Sequence, residues 1–301
     1  MSRKRTAAYL YLITATIIWG LAGPVAKFTL GGFSPSLFLA YRFTISAVIG
    51  IIFFLTARPK IKHKKKTLAL VGANGAVLYT ISLTALFVGL SQSTVLDLSL
   101  IASFSPLLLV AGGAMLFHDH ITHMEKLGIS IALVGVLLSA IIPTILASGF
   151  ALTGNVLILL FVAVDAISVL FSKSFLRHKV EPSVAAQGGL VGAGVVFLVA
   201  ALARYGVEGF VVAITEVPFK FHLGILYMAF LSGSLAYYLY YRGARSIEIS
   251  ETALFTYLQP IFAVPLAVLW LGEKITPLFI FGAVIITLGV AIAEWKRKRK
   301  A

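Results

Sequence analysis

The sequence lacks most of what a soluble enzyme uses. None of its 301 residues is a cysteine, which excludes disulfide bonds and thiol chemistry. Charged residues make up only 12% of the chain, whereas a soluble protein carries about a quarter. The chain has no His-Glu-x-x-His motif, no serine nucleophile elbow and no phosphate-binding loop. We therefore expect neither an enzyme nor a bound cofactor.

Long apolar runs dominate the chain instead. Hydrophobic residues make up 59% of it, with a mean hydropathy of +1.00, and runs of about 20 apolar residues recur as membrane helices require. The spans must be helical because lipid offers no partner for an unpaired backbone group. The sequence thus predicts an all-α polytopic membrane protein with ten transmembrane helices in a lipid bilayer. The candidate spans are residues 7–30, 34–57, 67–90, 94–117, 123–145, 153–176, 182–204, 220–243, 250–272 and 275–295.

The net charge of +14 is distributed unevenly between the two sides of these spans. If the N-terminus is cytoplasmic, 20 of the 25 lysines and arginines fall on the cytoplasmic side, which is the positive-inside bias. The bias predicts a multi-pass protein of the cell membrane (inner or plasma), with both termini in the cytoplasm. A nucleic-acid partner is the weaker interpretation of this charge, and we expect none.

The chain repeats itself at an offset of 154 residues. Lys27 also matches Lys173, but at the shorter offset of 146. The change from 146 to 154 requires an insertion in the second half, and we place it in a predicted loop over residues 205–220. We predict two five-helix repeats, residues 1–147 and 148–301. Because five is odd, the second repeat lies inverted in the bilayer, as in alternating-access transporters. The matched glycines and prolines are Gly89, Pro106, Gly128 and Gly135 with Gly243, Pro260, Gly282 and Gly289.

Several motifs resemble EamA-type members of the drug/metabolite transporter superfamily over essentially the whole chain. The opening signature is Trp19-Gly20, Lys27, Pro35 and Arg42-Phe43. Each half then has a mid-helix proline (Pro106, Pro260), a turn acid (Asp119, Glu273) and a glycine-rich fifth helix. The first half departs from the pattern at His118-Asp119-His120, and the sixth helix departs at Asp165.

This resemblance implies a secondary transporter with a central cavity formed mainly by helices 1, 3, 4, 6, 8 and 9. Its small-molecule substrate is then an organic metabolite or amino acid, and export is the expected direction. A proton-coupled importer and a multidrug-type exporter are the rival interpretations. We expect a monomer or a homodimer.

Asp165 is the sharpest single clue to the site. An acid near the middle of a span costs about 2.5–3.5 kcal/mol on insertion scales, and such groups usually face the bundle interior. Ser168 and Ser172 share its helix face. Asp165 is therefore predicted to couple transport to protons or to bind a substrate amine. The alternative is a buried acid paired with Lys173 or a tyrosine.

Polar and aromatic residues near mid-span complete the predicted substrate site. A tyrosine offers a flat apolar face and a hydroxyl, which suits a cavity for solutes of mixed polarity. Tyr240 and Tyr241 fit the interfacial belt better, and aromatic packing is the ordinary alternative for Trp19. The predicted substrate-binding residues are Trp19, Tyr79, Ser103, Asp165, Ser168, Tyr237, Tyr257 and Gln259.

A further set of residues is predicted to be structural or to act in gating. Gly20 and Pro24 can kink the first helix, while Lys27 is expected to snorkel to an interface. Arg42 lies too deep to snorkel, so it is expected to pair with a carboxylate or with helix-end carbonyls. The set consists of Gly20, Pro24, Lys27, Arg42, Pro106, Pro260 and Glu273.

The histidines of one short turn offer the other possible chemistry. His118, His120 and His123 lie beside Asp119, a composition that suits zinc or nickel, although histidines in such a turn are usually solvated. A membrane-embedded enzyme would depend on this turn. We predict no metal site there.

Overall fold

The computed structural model describes residues 3–61, 63–117, 122–146, 150–247, 252 and 255–294. This part of the chain is helical and contains no β-strand. The helices are α1 (Arg3–Thr29), α2 (Pro35–Thr56), α3 (Lys64–Ser91), α4 (Val95–Leu116), α5 (His123–Leu146), α6 (Phe150–Arg177), α7 (Pro182–Thr215), α8 (Phe219–Ala244), α9 (Phe255–Leu269) and α10 (Pro277–Glu294).

Seven of these helices, α1–α4 and α6–α8, are long and apolar enough to cross a membrane. The other three contain shorter apolar stretches, Lys126–Leu138, Phe255–Leu269 and Pro277–Ala293. The predicted all-helical class is therefore confirmed for the described residues.

Local chemistry sets where two of the helices begin. The Ser34 hydroxyl accepts a hydrogen bond from the Leu37 amide at 3.4 Å, and Pro35 occupies the first turn of α2. The Thr94 hydroxyl accepts one from the Asp97 amide at 2.9 Å at the start of α4. Such caps satisfy amides that have no partner within the helix.

Two helices contain π-helical segments, a third is interrupted and a fourth begins as a 3-10 turn. α3 contains a π-helical segment over Gly75–Tyr79, and α8 contains one over Tyr227–Leu235. α4 is interrupted after Ala102 and resumes at Ser105, while α9 starts as a 3-10 turn and becomes α-helical at Gln259. Pro106 and Pro260 lie in the first turns of these resumed helices, where a missing amide hydrogen costs little.

Packing places α5 and α10 against each other and α2 against α7. α3 packs on α6 and α1 packs on α8, while α1 also contacts α9 and α6 contacts α4. The largest cluster of buried apolar side chains includes Ala26 of α1, Phe38 of α2, Phe87 of α3, Leu190 of α7 and Met228 of α8. These five helices therefore share one apolar core.

The loop predicted over residues 205–220 is wrong for most of its length. α7 continues to Thr215, with a break in its helical geometry at Gly206, where φ is 66° and ψ is 176°. Glycine adopts this positive φ at little cost. The residues after the break return to helical geometry, and Phe210 is buried with 7% exposure. The segment after Gly206, which the comparison of the two repeats predicted to be a loop, is therefore helical and packs through the apolar side chain of Phe210.

Candidate functional site

A central cavity of about 170 Å³ lies between α1, α3, α4, α6, α8 and α9, with one contribution from α2. These six helices are the ones that the family resemblance names. Five predicted substrate-binding residues line the cavity, namely Trp19, Ser103, Asp165, Tyr237 and Gln259. The predicted structural residues Gly20, Arg42 and Pro260 line it as well.

Asp165 presents its carboxyl group to this cavity from α6. The side chain is half-buried and, among the residues that the structure describes, it has no hydrogen-bond or ion-pair partner. Tyr237, Tyr240 and Tyr241 lie within electrostatic range of it. A carboxyl group in this setting is free to bind a proton or a cationic group that enters the cavity.

Aromatic rings of α1 and α8 form one wall of the cavity, and a ring of α3 packs behind it. The Trp19 ring centroid lies 5.2 Å from those of Tyr237 and Tyr240. The Trp19 Nε1 donates a hydrogen bond to the Ser232 carbonyl at 3.0 Å, which accepts it from within the π-helical segment of α8. Tyr237 also stacks on Tyr79, with centroids 5.3 Å apart. These contacts pack the rings against one another and against the π-helical segment of α8.

Arg42 reaches the cavity from α2 and is almost completely buried, with 2% exposure. Its Nε donates to the Met228 carbonyl at 3.1 Å. Its guanidinium lies over the rings of Phe43 and Phe87, at 4.9 and 5.2 Å from their centroids. The sequence predicted a carboxylate or helix-end carbonyls as the partner of Arg42, whereas the acceptor is a main-chain carbonyl within the π-helical segment of α8.

The interrupted helices α4 and α9 contribute polar groups. Ser103, at the break in α4, donates its hydroxyl to the Ser99 carbonyl at 2.7 Å. Gln259 lies where α9 becomes α-helical, and Gly20 of α1 packs directly against it. A Cβ at Gly20 would lie only 2.9 Å from the Gln259 carbonyl oxygen and from the Phe262 Cβ. Glycine is therefore required here for close contact between α1 and α9.

The remaining predicted substrate-binding residues lie outside the lining. Tyr79 and Ser168 are buried, with 2% and 1% exposure, and belong to a hydrogen-bonded group that joins α3, α6 and α8. In it Asn74 donates to Ser168 at 3.5 Å, and Tyr79 hydrogen-bonds with Tyr241. Tyr257 is half-buried in the 3-10 turn of α9.

Lys27 and Glu273 act together at the turn between α3 and α4 and do not themselves line the cavity. The Lys27 Nζ donates to the carbonyls of Leu90 at 2.8 Å and Ser93 at 2.5 Å. Glu273 accepts from the amides of Val95 at 2.8 Å and Leu96 at 3.0 Å. The positive charge of Lys27 thus lies at the C-terminal end of α3, and the negative charge of Glu273 lies at the N-terminal end of α4. These are the charges that the helix dipoles favour at the two ends.

Two prolines of the predicted structural or gating set, Pro24 and Pro106, lie outside the cavity lining. Pro24 is buried inside α1, which remains helical through Thr29, and it does not line the cavity. Pro106 is also buried and lies just behind the lining residue Ser105.

The assignment of Tyr240 and Tyr241 to an interfacial belt is wrong. Both are buried, with 8% and 2% exposure, and both line the cavity. Their spacing of three and four residues from Tyr237 places them on the same helix face, a signal that was present in the sequence. Of the histidine turn, residues 118–121 lie outside the described residues.

These features define the class of protein: a bundle of long apolar helices around a central cavity that carries a carboxylate, an arginine and an aromatic wall. Ligand sites at the interface of membrane helices, formed by discontinuous spans, are typical of transporters. The model of the EamA-like transporter family matches residues 6–141 and 152–295. The chain therefore belongs to the EamA-like transporter family, and it is a multi-pass membrane protein.

Curated relatives are similar over nearly their full length. The chain is 27% identical to the uncharacterized transporter YyaM of Bacillus subtilis (strain 168), covering 97% of this chain and 94% of the relative. It is also 27% identical to a probable amino-acid metabolite efflux pump of Salmonella typhimurium (strain LT2), covering 97% and 95%. A protein of the same description from Escherichia coli (strain K12) is 25% identical, covering 100% and 99%.

A crystal structure of another protein has the same fold. The two superpose with a TM-score of 0.66 at 19% identity, and the match covers 98% of this chain and 99% of the other. This similarity concerns the fold alone.

Proposed function

We propose that the protein is a secondary transporter that exports a small organic metabolite or amino acid by alternating access through the central cavity. The observation that carries this proposal is the Asp165 carboxyl group, which faces a cavity between six helices in a chain of a transporter family. Two relatives named as probable amino-acid metabolite efflux pumps favour export and this substrate class.

Equivalent lysine contacts support two inverted repeats, residues 1–147 and 148–301. Lys27 donates to the carbonyls of residues 90 and 93. Lys173, its counterpart, donates to the carbonyls of Ala244 and, at 2.7 Å, Ile247. These acceptors lie 154 residues after the first pair, so each repeat closes the end of its third helix with a lysine from its first.

Irregular segments and packing support the same division and a ten-helix arrangement. The π-helical segments of α3 and α8 overlap at the offset of 154, and the α-helical parts that begin at Ser105 and Gln259 coincide at it. The contact of α3 with α6 corresponds to that of α8 with α1. The family model also matches the chain in two segments, one in each half.

The absence of cysteine allows a direct test of inverted topology. Lys66 and Lys220 occupy equivalent positions in the two repeats, and both are exposed. Inversion with cytoplasmic termini predicts that Lys66→Cys is cytoplasmic and Lys220→Cys is outside. In intact cells a membrane-impermeant maleimide should label the second variant and leave the first unlabelled until the cells are permeabilised. Labelling of both variants in intact cells would contradict inversion.

We propose the hydrogen-bonded group behind Tyr241 as the cytoplasmic gate. Tyr241 lines the cavity, and its hydroxyl donates to the Ser172 hydroxyl at 2.9 Å. Asn74 donates to Ser172 at 3.5 Å. With the termini in the cytoplasm, this group lies on the cytoplasmic side of the cavity, because α3 begins and α6 ends there. Three helices must separate at this point before a solute can pass.

Within the cavity, Trp19, Ser103, Tyr237 and Gln259 are proposed substrate contacts, while Tyr79, Ser168 and Tyr257 support them from behind. Asp165 is proposed to couple transport to protons or to recognise a substrate amine. Catalysis is not part of the proposal. Normal flux after alanine replacement of His118, His120 and His123 would agree with this, whereas loss of flux would make the histidine turn functional.

Reconstitution tests the transport proposal. Purified protein in liposomes is assayed with amino acids, nucleosides, sugars and drug-like amines, with and without a pH gradient. We expect flux of at least one amino acid or organic metabolite, and Asp165→Asn should abolish its gradient dependence or weaken its apparent affinity. Glu208→Gln, a charge-matched change at an exposed position, serves as the control. Absence of flux for every class refutes the proposal, and an unaffected Asp165→Asn variant refutes the role of that residue.

A further inference from the structure

Two opposite charges line the same cavity without forming an ion pair. Asp165 has no polar partner in the described part of the chain. The Arg42 Nη1 is buried and has no hydrogen-bond partner among the described residues, although Nε is bonded to the Met228 carbonyl. Arg42 and Asp165 are also not within ion-pair distance of each other.

Tyr237 relates the two charges in space. It lines the cavity and lies within electrostatic range of both Arg42 and Asp165. The two groups therefore both lie near one aromatic residue of the cavity and are separated by more than a salt-bridge distance. Two separate groups of opposite charge in one cavity suit a ligand that carries both a positive and a negative group.

Leaving both charges unpaired is unfavourable in a low-dielectric bundle. A buried charge is tolerated when it is paired and hydrogen-bonded, and the aromatic rings around Arg42 compensate its charge only in part. A substrate carboxylate that reaches the guanidinium would supply the acceptor that the buried Nη1 lacks, and an ammonium group would neutralise Asp165. One zwitterion satisfies both groups at once.

We infer that the cavity selects zwitterionic substrates, with the substrate carboxylate bound to Arg42 and its ammonium group bound to Asp165. The apolar side chains of Leu83, Leu86 and Phe161 line the same space, so the favoured substrates are α-amino acids with apolar side chains. This inference rests on the proposed transport function and narrows its substrate class. It also gives Arg42 a role in binding beyond its contacts with α8.

A ligand series that removes one charge at a time tests the inference. Proteoliposomes loaded with unlabelled L-leucine take up labelled L-leucine by exchange, and competitors are added outside. L-leucinamide lacks the carboxylate, and isocaproate lacks the amine, while both keep the leucine side chain. Each should compete at least about tenfold more weakly than leucine, because a hydrogen bond to a charged group contributes about that factor.

Two variants assign each charge to its residue. In Asp165→Asn, removal of the amine from the competitor should no longer weaken competition, so leucine and isocaproate compete nearly equally. In Arg42→Gln, loss of the carboxylate from the competitor should no longer weaken competition, so leucine and leucinamide compete nearly equally. Arg42→Lys should restore part of the difference between these two competitors. Glu208→Gln and Arg204→Gln, at exposed positions, should leave the wild-type ranking intact. A purely structural role for either residue would weaken all three ligands together.

The outcomes separate this inference from the transport proposal. Flux of another solute class without leucine exchange overturns zwitterion selection and leaves transport standing. Equal competition by leucine, leucinamide and isocaproate in the wild type overturns it too. If Arg42→Gln does not fold, the comparison of competitors in Asp165→Asn decides alone. An undiminished preference of Asp165→Asn for leucine over isocaproate would contradict the inference. No flux for any solute defeats the transport proposal first.

Discussion

Replacing Glu273 should destabilise the protein through the turn between α3 and α4. Its two carboxylate oxygens accept the amides of Val95 at 2.8 Å and Leu96 at 3.0 Å, at the start of α4. These amides have no acceptor within their own helix. Glu273→Ala removes both charge-assisted bonds, and Glu273→Gln keeps one oxygen acceptor but removes the negative charge.

The expected magnitudes follow from this count. Loss of a helix cap costs about 0.5–2 kcal/mol, and hydrogen bonds to charged groups contribute about 1.5–3 kcal/mol each. Since the side chain is partly buried and water can reach the freed amides, we expect about 2–4 kcal/mol for Glu273→Ala and about half of that for Glu273→Gln. At about 2 °C per kcal/mol for a chain of this size, Tm falls by about 4–8 °C and about 2–4 °C.

Thermal unfolding of the purified protein in detergent, followed by tryptophan fluorescence, measures these shifts. Glu208→Ala removes an exposed glutamate and should leave Tm within about 1 °C of the wild type. The reasoning is refuted if Glu273→Ala behaves like Glu208→Ala. It is also refuted if the glutamine and alanine variants lose equal stability, because the number of remaining acceptors would then have no effect.

Three further predictions use the same preparations. Lys27→Met and Lys173→Met should lower Tm by similar amounts, because each lysine closes an equivalent helix end, and a loss confined to one variant would contradict that equivalence. Tyr241→Phe removes the hydrogen-bond donor to Ser172 and should weaken the proposed cytoplasmic gate. In inside-out vesicles, a cysteine introduced at Ser103 should then react faster with a maleimide. An unchanged reaction rate would count against the gate. Gly75→Ala should lower stability by about 1–3 kcal/mol through overpacking, because its Cβ would clash with the Gly189 carbonyl oxygen. Gly72→Ala should be tolerated, because no atom of the described residues lies within 4 Å of its Cβ.

Much of the candidate site could be predicted from residue type and depth in the span. Asp165 and Gln259 line the cavity, and both are polar groups in apolar runs where a lipid-facing position is unfavourable. Trp19 and Tyr237 also line it, as expected for amphipathic rings near mid-span. Tyr79 and Ser168 have the same chemistry but lie behind the lining, because their helix faces point toward neighbouring helices.

Other parts of the site depended on contacts between distant segments. The sequence shows that Lys27 and Glu273 lie near span ends, but their shared turn is formed by residues more than 60 positions from either. Arg42 was expected to find a partner, yet its acceptor is a carbonyl within the π-helical segment of α8. No local pattern predicts which distant backbone group becomes available in this way.

The sequence by itself determined the all-helical membrane class and the family, because apolar runs, glycines and prolines act through local backbone chemistry and membrane insertion. It also singled out Asp165, since an acid in an apolar span must face away from lipid. Only the tertiary structure decided that Arg42 reaches the same cavity and that the lysines close helix ends. Those facts depend on how helices rotate and pack against one another, and packing joins residues that lie far apart in the chain.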